Sequence, residues 1–341
     1  MNSCFLSFIV PVYNAQTHLS ACLDSLLNQD LPKDTYEIVC VNDGSRDEST
    51  AILREYLHAN PNIILVQQGN SGVAAARNVG LCAASGDYIW FVDADDLIKP
   101  NILGNLRKIL LNNPCDRLIL GGYQFTDSMS DQELKLACQG TLPNNCPWYD
   151  SVVWRSLLRQ EFVLGNDLFF RYPDITHGED GLYMYEVSLM NPSTVEIPEA
   201  LYFYRVHSGS AETTVSVKNL NKKLRSYIRV TQILRSYYED GNQKNTLTAN
   251  KLMSFLWLAL HSAACLPGPQ RKAALNQLRE AGLFPFTRPT ECNLSQSYMA
   301  DPSTPLGKLY DQLFLNLHTP WGFRGMVLLQ ALLNLKRKLR S

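Results

Sequence analysis

The chain contains no C-x-x-C pair, and its nine cysteines are odd in number. Cysteine spacing therefore gives no metal-binding or redox signature, and Cys22, Cys40 and Cys82 fall within apolar patterns where cysteine acts as a small hydrophobe. A reduced, cytoplasmic setting is expected. There is no G-x-x-x-x-G-K-[ST] run, which excludes a P-loop, and Gly69, Gly72 and Gly80 do not fit G-x-G-x-x-G, which argues against a dinucleotide fold. Long apolar runs are also missing. The longest, Leu252 to Leu266, is interrupted by Ser254, His261 and Ser262 and falls short of the ~20 residues of a membrane-crossing helix. Residues 1–12 are apolar but lack a basic flank and carry Pro11, so they read as a first strand and not as a signal peptide.

What is present suffices for a large core: 341 residues with 45% hydrophobic content suggest one large domain or two modest ones. A formal net charge of -1 hides an asymmetry. Residues 1–115 hold seven Lys and Arg against twelve Asp and Glu, residues 116–200 five against thirteen, and residues 201–341 nineteen against seven. An acidic front and a basic rear face different partners.

The front alternates strand and helix signals. Ser7 to Val12 reads as a strand, followed by a helical stripe at Leu19, Cys22, Leu23, Leu26 and Leu27. Glu37 to Val41 is a second strand. Ser45-Arg46-Asp47-Glu48 has the form of a capping box before a helix carrying Ile52, Leu53, Tyr56 and Leu57. Asn62 to Val66, the Ala-rich Gly72 to Ala84 and Tyr88 to Val92 read as strand, helix and strand. Such alternation predicts an α/β fold with a parallel sheet. Ligands of these sheets bind beyond the carboxyl ends of the strands, where the polar loops Tyr13-Asn14, Asn42 to Ser45, Gly69 to Gly72 and Asp93 to Asp96 fall.

The run Asp87 to Asp96 reads D-Y-I-W-F-V-D-A-D-D. Burying its three terminal acids together without counter-charge would cost on the order of several kcal/mol. A strand end opening onto a bound cation is the favoured setting.

Together, F-I-V-P-V-Y-N-A (Phe8 to Ala15), V-N-D-G-S-R-D (Val41 to Asp47), G-N-S-G-V-A-A-A-R-N-V-G (Gly69 to Gly80), G-D-Y-I-W-F-V-D-A-D-D (Gly86 to Asp96), W-R-S-L-L-R (Trp154 to Arg159), H-G-E-D (His177 to Asp180) and Y-R-V-H-S-G-S (Tyr204 to Ser210) resemble glycosyltransferase family 2, of the bacterial polysaccharide and glycolipid type. The resemblance covers roughly the first 210 residues. It implies the GT-A fold, a mainly parallel central sheet, over residues 1–215; the helical region over 216–341 lies beyond it and is read from its own spacing. The resemblance implies a metal-dependent, inverting transfer from a nucleotide-sugar donor, a UDP-sugar above all, to a hydroxyl of a glycan or lipid-linked acceptor. Residue by residue, Pro11, Tyr13 and Asp43 would line the nucleotide pocket, Asp43 accepting from the base. Arg77 would lie near the donor's ribose or phosphates, Asp93 would hold the ribose or sugar, and Asp95 and His207 would bind Mg2+ or Mn2+. Asp180 would be the catalytic base. Gly181 departs from the family pattern, which carries a bulkier residue there. A hard cation held by one or two carboxylates and substrate phosphates agrees with an open D-x-D.

Two alternatives remain at this point. A non-catalytic nucleotide-sugar-binding subunit would keep the pocket without turnover. A D-x-D phosphohydrolase would place the motif after its first strand, whereas here it follows the fourth. For Glu179 and Asp180 the plainer reading is a pair of solvated loop acids, and for Trp154 core packing.

The rear reads as helices over Lys218 to Tyr238, Leu247 to Cys265, Gln270 to Ala281, Leu306 to Leu317 and Trp321 to Arg340. The last is apolar before Lys336-Arg337-Lys338 and Arg340, which suits a peripheral location on the anionic inner face of the cell membrane, a closing helix of a subdomain, or a dimer contact. No nucleic-acid-binding motif accompanies it, so no nucleic acid partner is expected.

Overall fold

The computed structural model describes residues 4–129, 140, 142, 144, 152–171, 175–207, 216–239, 243–292, 309, 312, 313 and 316–338, the backbone alone for 330–338. The chain divides into two compact units, Met1–Asp174 with Glu179–Thr213, and Ile175–Gly178 with Thr214–Ser341.

The first unit is an eight-stranded sheet. Its strands are β1 (Leu6–Val12), β2 (Tyr36–Asp43), β3 (Ile63–Gln68), β4 (Tyr88–Phe91), β5 (Leu97–Ile98), β6 (Arg117–Thr126), β7 (Ser156–Arg159) and β8 (Thr194–Val206), in spatial order β3-β2-β1-β4-β7-β6-β8-β5. β1 pairs in parallel with both β2 and β4, and β2 with β3. β7 runs antiparallel between β4 and β6, so β6 and its parallel partner β8 point the same way as β1 to β4. The carboxyl ends of six strands therefore share one edge. The sheet is mainly parallel, as expected, with β7 and β5 as its antiparallel members, β5 pairing with β8. β7 follows directly on the 3-10 turn Val153–Arg155.

Burial on both faces explains why β1 is apolar from Phe8 to Val12. Phe8, Val10 and Val12 pack with Leu19, Cys22, Leu23 and Leu26 of α1 (Leu19–Leu27) on one face. Ile9 joins Ala74 and Leu81 of α3 (Val73–Ala83) on the other. Each fully buried leucine contributes about 1.5–3 kcal/mol relative to an exposed one. α3 approaches β1 so closely that a Cβ on Gly80 would lie 2.3 Å from Ile9 Cγ2. The remaining helices of this unit among the described residues are α2 (Ser49–Ala59), α4 (Leu103–Asn112), α5 (Gln160–Gly165) and α6 (Glu179–Leu189).

The capping box expected at Ser45 is not formed. α2 begins at Ser49, whose N–H donates to Asp47 Oδ1 at 3.1 Å, while Ser45 Oγ accepts from Asn14 N–H at 3.1 Å. Tertiary contacts to the loop after β1 have taken the hydroxyl that local sequence offered to the helix.

The second unit holds α7 (Val217–Glu239), α8 (Thr246–Cys265), α9 (Gly268–Glu280) and α10 (Pro320–Lys338). Asn245 caps α8 by accepting from Thr248 N–H at 2.9 Å. α8 is buried over most of its surface, including Leu252, Met253, Leu256, Trp257 and Leu260. That accounts for the longest apolar tract: it is the core helix of this unit. No helix among the described residues is long and apolar enough to cross a membrane. Most of Leu306 to Leu317 lies outside the described residues.

Candidate functional site

The D-Y-I-W-F-V-D-A-D-D run behaves as its composition requires. β4 is buried along its length, and the chain turns at Asp93 to Asp96 on the carboxyl edge of the sheet. β8 pins this turn. Asp93 N–H donates to Tyr202 Oη at 3.1 Å, and that hydroxyl donates to Asp96 Oδ2 at 2.6 Å. Arg205 N–H donates to Asp96 Oδ1 at 2.7 Å, and Arg205 Nε to the Asp95 carbonyl at 2.7 Å. Asp96 is fully buried, and burial, reinforced by Asp95 and Asp93, drives its pKa well above the ordinary carboxylate value. Asp96 is thus a structural acid holding the turn, and Trp154 stacks on Tyr202 at 4.3 Å as core packing.

Beyond the turn, Asp95 Oδ2 and His207 Nε2 lie 3.0 Å apart. His207 is the first residue past β8. At this spacing the two are hydrogen-bonded to each other, and a carboxylate oxygen and an imidazole nitrogen are both ligand types that a divalent cation such as Mg2+ or Mn2+ accepts.

On the other side of the turn, Arg77 of α3 gathers three acids. Its Nη2 donates to Asp93 Oδ1 at 2.9 Å, and its Nη1 donates to Glu179 Oε1 at 3.1 Å and to Asp180 Oδ1. Glu179 and Asp180 open α6 in its first turn, where the helix dipole favours negative charge. They are not solvated loop acids: their side chains are 14% and 18% exposed, against 3% for Arg77 and 30% for Asp93. Three carboxylates surround one guanidinium, leaving an excess of negative charge in a poorly hydrated place. Burial raises Asp180 well above the ordinary carboxylate pKa; Arg77 opposes the rise, and Glu179 and Asp93 add to it. Asp93 is raised for the same first reason, with Asp95 contributing. For Arg77 burial works against the charge, but Asp180, Asp93 and Glu179 outweigh it and its pKa is raised.

The other expected positions also sit on this edge. Tyr13, the residue after β1, is 48% exposed, and Pro11 is half-buried opposite Val41. Asp43, at the end of β2 and 3% exposed, accepts from Gln68 Nε2 at 2.7 Å, Ser71 N–H at 2.7 Å and Gly72 N–H at 2.9 Å. It thereby shapes the Gly69 to Gly72 loop, where Gly72 adopts φ 90° before α3. Arg77 links Asp93, at the start of the acidic turn, to Asp180.

Sequence reasoning did not single out His18 or Asp127. His18 precedes α1, and Asp127 follows β6 and pairs with Arg205 Nη1 at 2.9 Å. Burial and Arg205 lower the His18 pKa, favouring a neutral imidazole. The available signal was position: Asp127 directly follows a strand of the same edge, and His18 lies between β1 and α1.

Residues 7–150 match the family model described as glycosyl transferase family 2. The chain is 31% identical over 223 residues to glycosyltransferase GlyA of Streptococcus pneumoniae, covering 60% of this chain and 31% of GlyA, so it spans about a third of that relative's length. In architecture it is similar to residues 1–349 of TarS from S. aureus, solved with UDP-GlcNAc, with a TM-score of 0.53, 21% identity, 81% of this chain and 88% of that one. It is likewise similar to the mannosyltransferase PcManGT of Pyrobaculum calidifontis, solved with GDP-Man and Mn2+, with a TM-score of 0.53, 18% identity, and 97% and 86% of the two chains.

Proposed function

Through residues 7–150 the chain belongs to glycosyl transferase family 2 and carries the GT-A fold, and on that premise we propose that it transfers a sugar from a nucleoside-diphosphate donor to an acceptor hydroxyl with inversion. The observation that carries this reading is the pairing of a cation-fitting couple, Asp95 and His207, with a buried, raised-pKa carboxylate, Asp180, on one sheet edge. The solved neighbours' UDP-GlcNAc and GDP-Man support a nucleotide-sugar donor, of which a UDP-sugar is our choice.

Asp180 acts as general base. A carboxylate lifted toward the working pH accepts a proton more effectively than an ordinary one, and contributions of 10²–10⁴-fold are typical. Glu179 and Asp93, bridged to it by Arg77, fix its position and supply acceptors for sugar hydroxyls. Tyr13 and Pro11, with Asp43 behind the Gly69 to Gly72 loop, frame the nucleotide. Asp95 and His207 would hold Mg2+ or Mn2+, which when bound stabilises negative charge on the departing diphosphate as a Lewis acid. Attack opposite the leaving group by the deprotonated hydroxyl inverts the anomeric carbon. The acceptor is a glycan or lipid-linked hydroxyl. A peripheral membrane location is supported by the basic rear and by Trp321 and Leu328, exposed at 65% and 67% on α10; loss of anionic-vesicle binding on replacing both with serine would test it.

Thermal shift and donor turnover with UDP-GlcNAc, UDP-glucose and GDP-mannose in Mn2+ test the main reading. One donor should stabilise wild type and Asp180→Asn alike while turnover is lost in the variant. Wild-type turnover by Asp180→Asn would remove the base assignment, and indifference to every nucleotide sugar would remove the donor class.

A further inference from the structure

We propose that His18 and Asp127 join His207 in holding the divalent cation, so that the site carries two imidazoles and prefers a transition metal to Mg2+. The inference rests on the metal-dependent reading above and goes beyond its Asp95 and His207 pair. One ligand atom from each of His18, Asp127 and His207 lies within 4.8 Å of the other two. The two imidazole rings stand 4.9 Å apart, and Asp95, outside this three-residue group, is tied to it by the 3.0 Å contact of its Oδ2 with His207 Nε2.

These groups come from four separate places: the residue before α1, the turn after β4, and the first residues past β6 and β8. Parallel alignment of β1, β4, β6 and β8 delivers all four to the same edge. Neither local helix nor local turn geometry explains the grouping. His18 makes no capping hydrogen bond to α1. Arg205 fixes two of the contributors, pairing with Asp127 Oδ1 and donating to the Asp95 carbonyl, while its guanidinium rests 4.6 Å above the Phe125 ring. Magnesium favours all-oxygen shells rich in water, whereas imidazole suits Mn2+, Co2+ and Zn2+ progressively better. Two histidines at one site therefore tilt selection away from Mg2+.

The test uses EDTA-stripped full-length protein titrated with Mn2+, free ion being read by electron paramagnetic resonance and bound ion by pulsed measurement of nitrogen coupling. Wild type should show two histidine nitrogens, and Mg2+ should displace Mn2+ only at large excess. His18→Gln should leave one nitrogen and weaken Mn2+ at least about tenfold, and Asp127→Asn should weaken it similarly with both nitrogens kept. Melting in EDTA separates these effects from misfolding, and Asp127, being exposed, gives a second variant with little folding risk. Unchanged affinity and coupling in both variants would overturn the proposal. If Asp95→Asn alone then lost Mn2+, the narrower metal site would survive; sugar transfer by wild type that binds no Mn2+ would remove both metal assignments and leave the transferase reading intact.

Discussion

Arg77 and Asp180, 103 residues apart in the chain, form a buried ion pair in which the same guanidinium nitrogen also reaches Glu179. The pair joins α3, behind the Gly69 to Gly72 loop, to the first turn of α6, so the proposed base is oriented by a residue of α3.

The pH profile should report this pair. As the proposed base Asp180 would work ionised, and burial raises its pKa above the ordinary carboxylate value, so activity should fall on acidification through that raised pKa. Arg77 pulls that pKa down. Arg77→Gln should therefore move the acidic limb of kcat/KM to higher pH, while Arg77→Lys, which keeps the charge, should move it less. An acidic limb unmoved by Arg77→Gln would show that the guanidinium does not tune the base.

Stability should respond in the opposite sense to activity. A carboxyl whose pKa is raised on folding favours the folded state fully only below its unfolded pKa, and loses that contribution as pH rises through the folded value. At pH 7.5 Asp180→Asn removes one surplus charge from beside Arg77, so its melting temperature should exceed that of wild type although turnover is abolished. Equal melting curves across pH 5 to 8 would argue that Asp180 carries no strain.

Tyr202 links two backbone-fixing contacts in one hydroxyl. Tyr202→Phe keeps the stack on Trp154 but strips Asp93 N–H of its acceptor and Asp96 of a donor. The expected loss is about 1–3 kcal/mol in denaturant unfolding, with weaker donor affinity because the Asp93 to Asp96 turn loosens. A variant as stable as wild type would assign the turn to Arg205 alone.

Two glycines separate steric need from loop convenience. A Cβ on Gly86 would stand 2.5 Å from Ser7 N and 2.6 Å from Leu6 C, both backbone atoms that cannot swing aside, whereas one on Gly69 would meet nothing within 4 Å. Gly86→Ala should cost about 1–3 kcal/mol and Gly69→Ala about 0.5 or less, measured by thermal unfolding.

The first four strands, α1, α3 and the rear helices α7 to α9 were legible from the sequence because each is a local pattern: an apolar run between turn residues, or a stripe at helical spacing. The same patterns put the acidic loops beyond strand ends. β6 and β8 were not read, for they precede and follow segments of mixed composition, and their ten-residue parallel pairing is stated by no local feature. The Ser45 capping box had the right letters and lost its hydroxyl to Asn14.

Sequence by itself determined that this chain builds a mainly parallel α/β sheet, that carboxylates end its fourth strand, and which residues match a family of sugar transferases. Only the tertiary structure decided that Arg77 spends its charge on Asp93, Glu179 and Asp180, that Asp96 is a buried brace, and that His18 and Asp127 stand beside His207. The reason is physical: burial periodicity is a property of neighbours along the chain, whereas the meeting of charged groups depends on strand order, and inserting β7 between β4 and β6 is what aligns the distant strand ends.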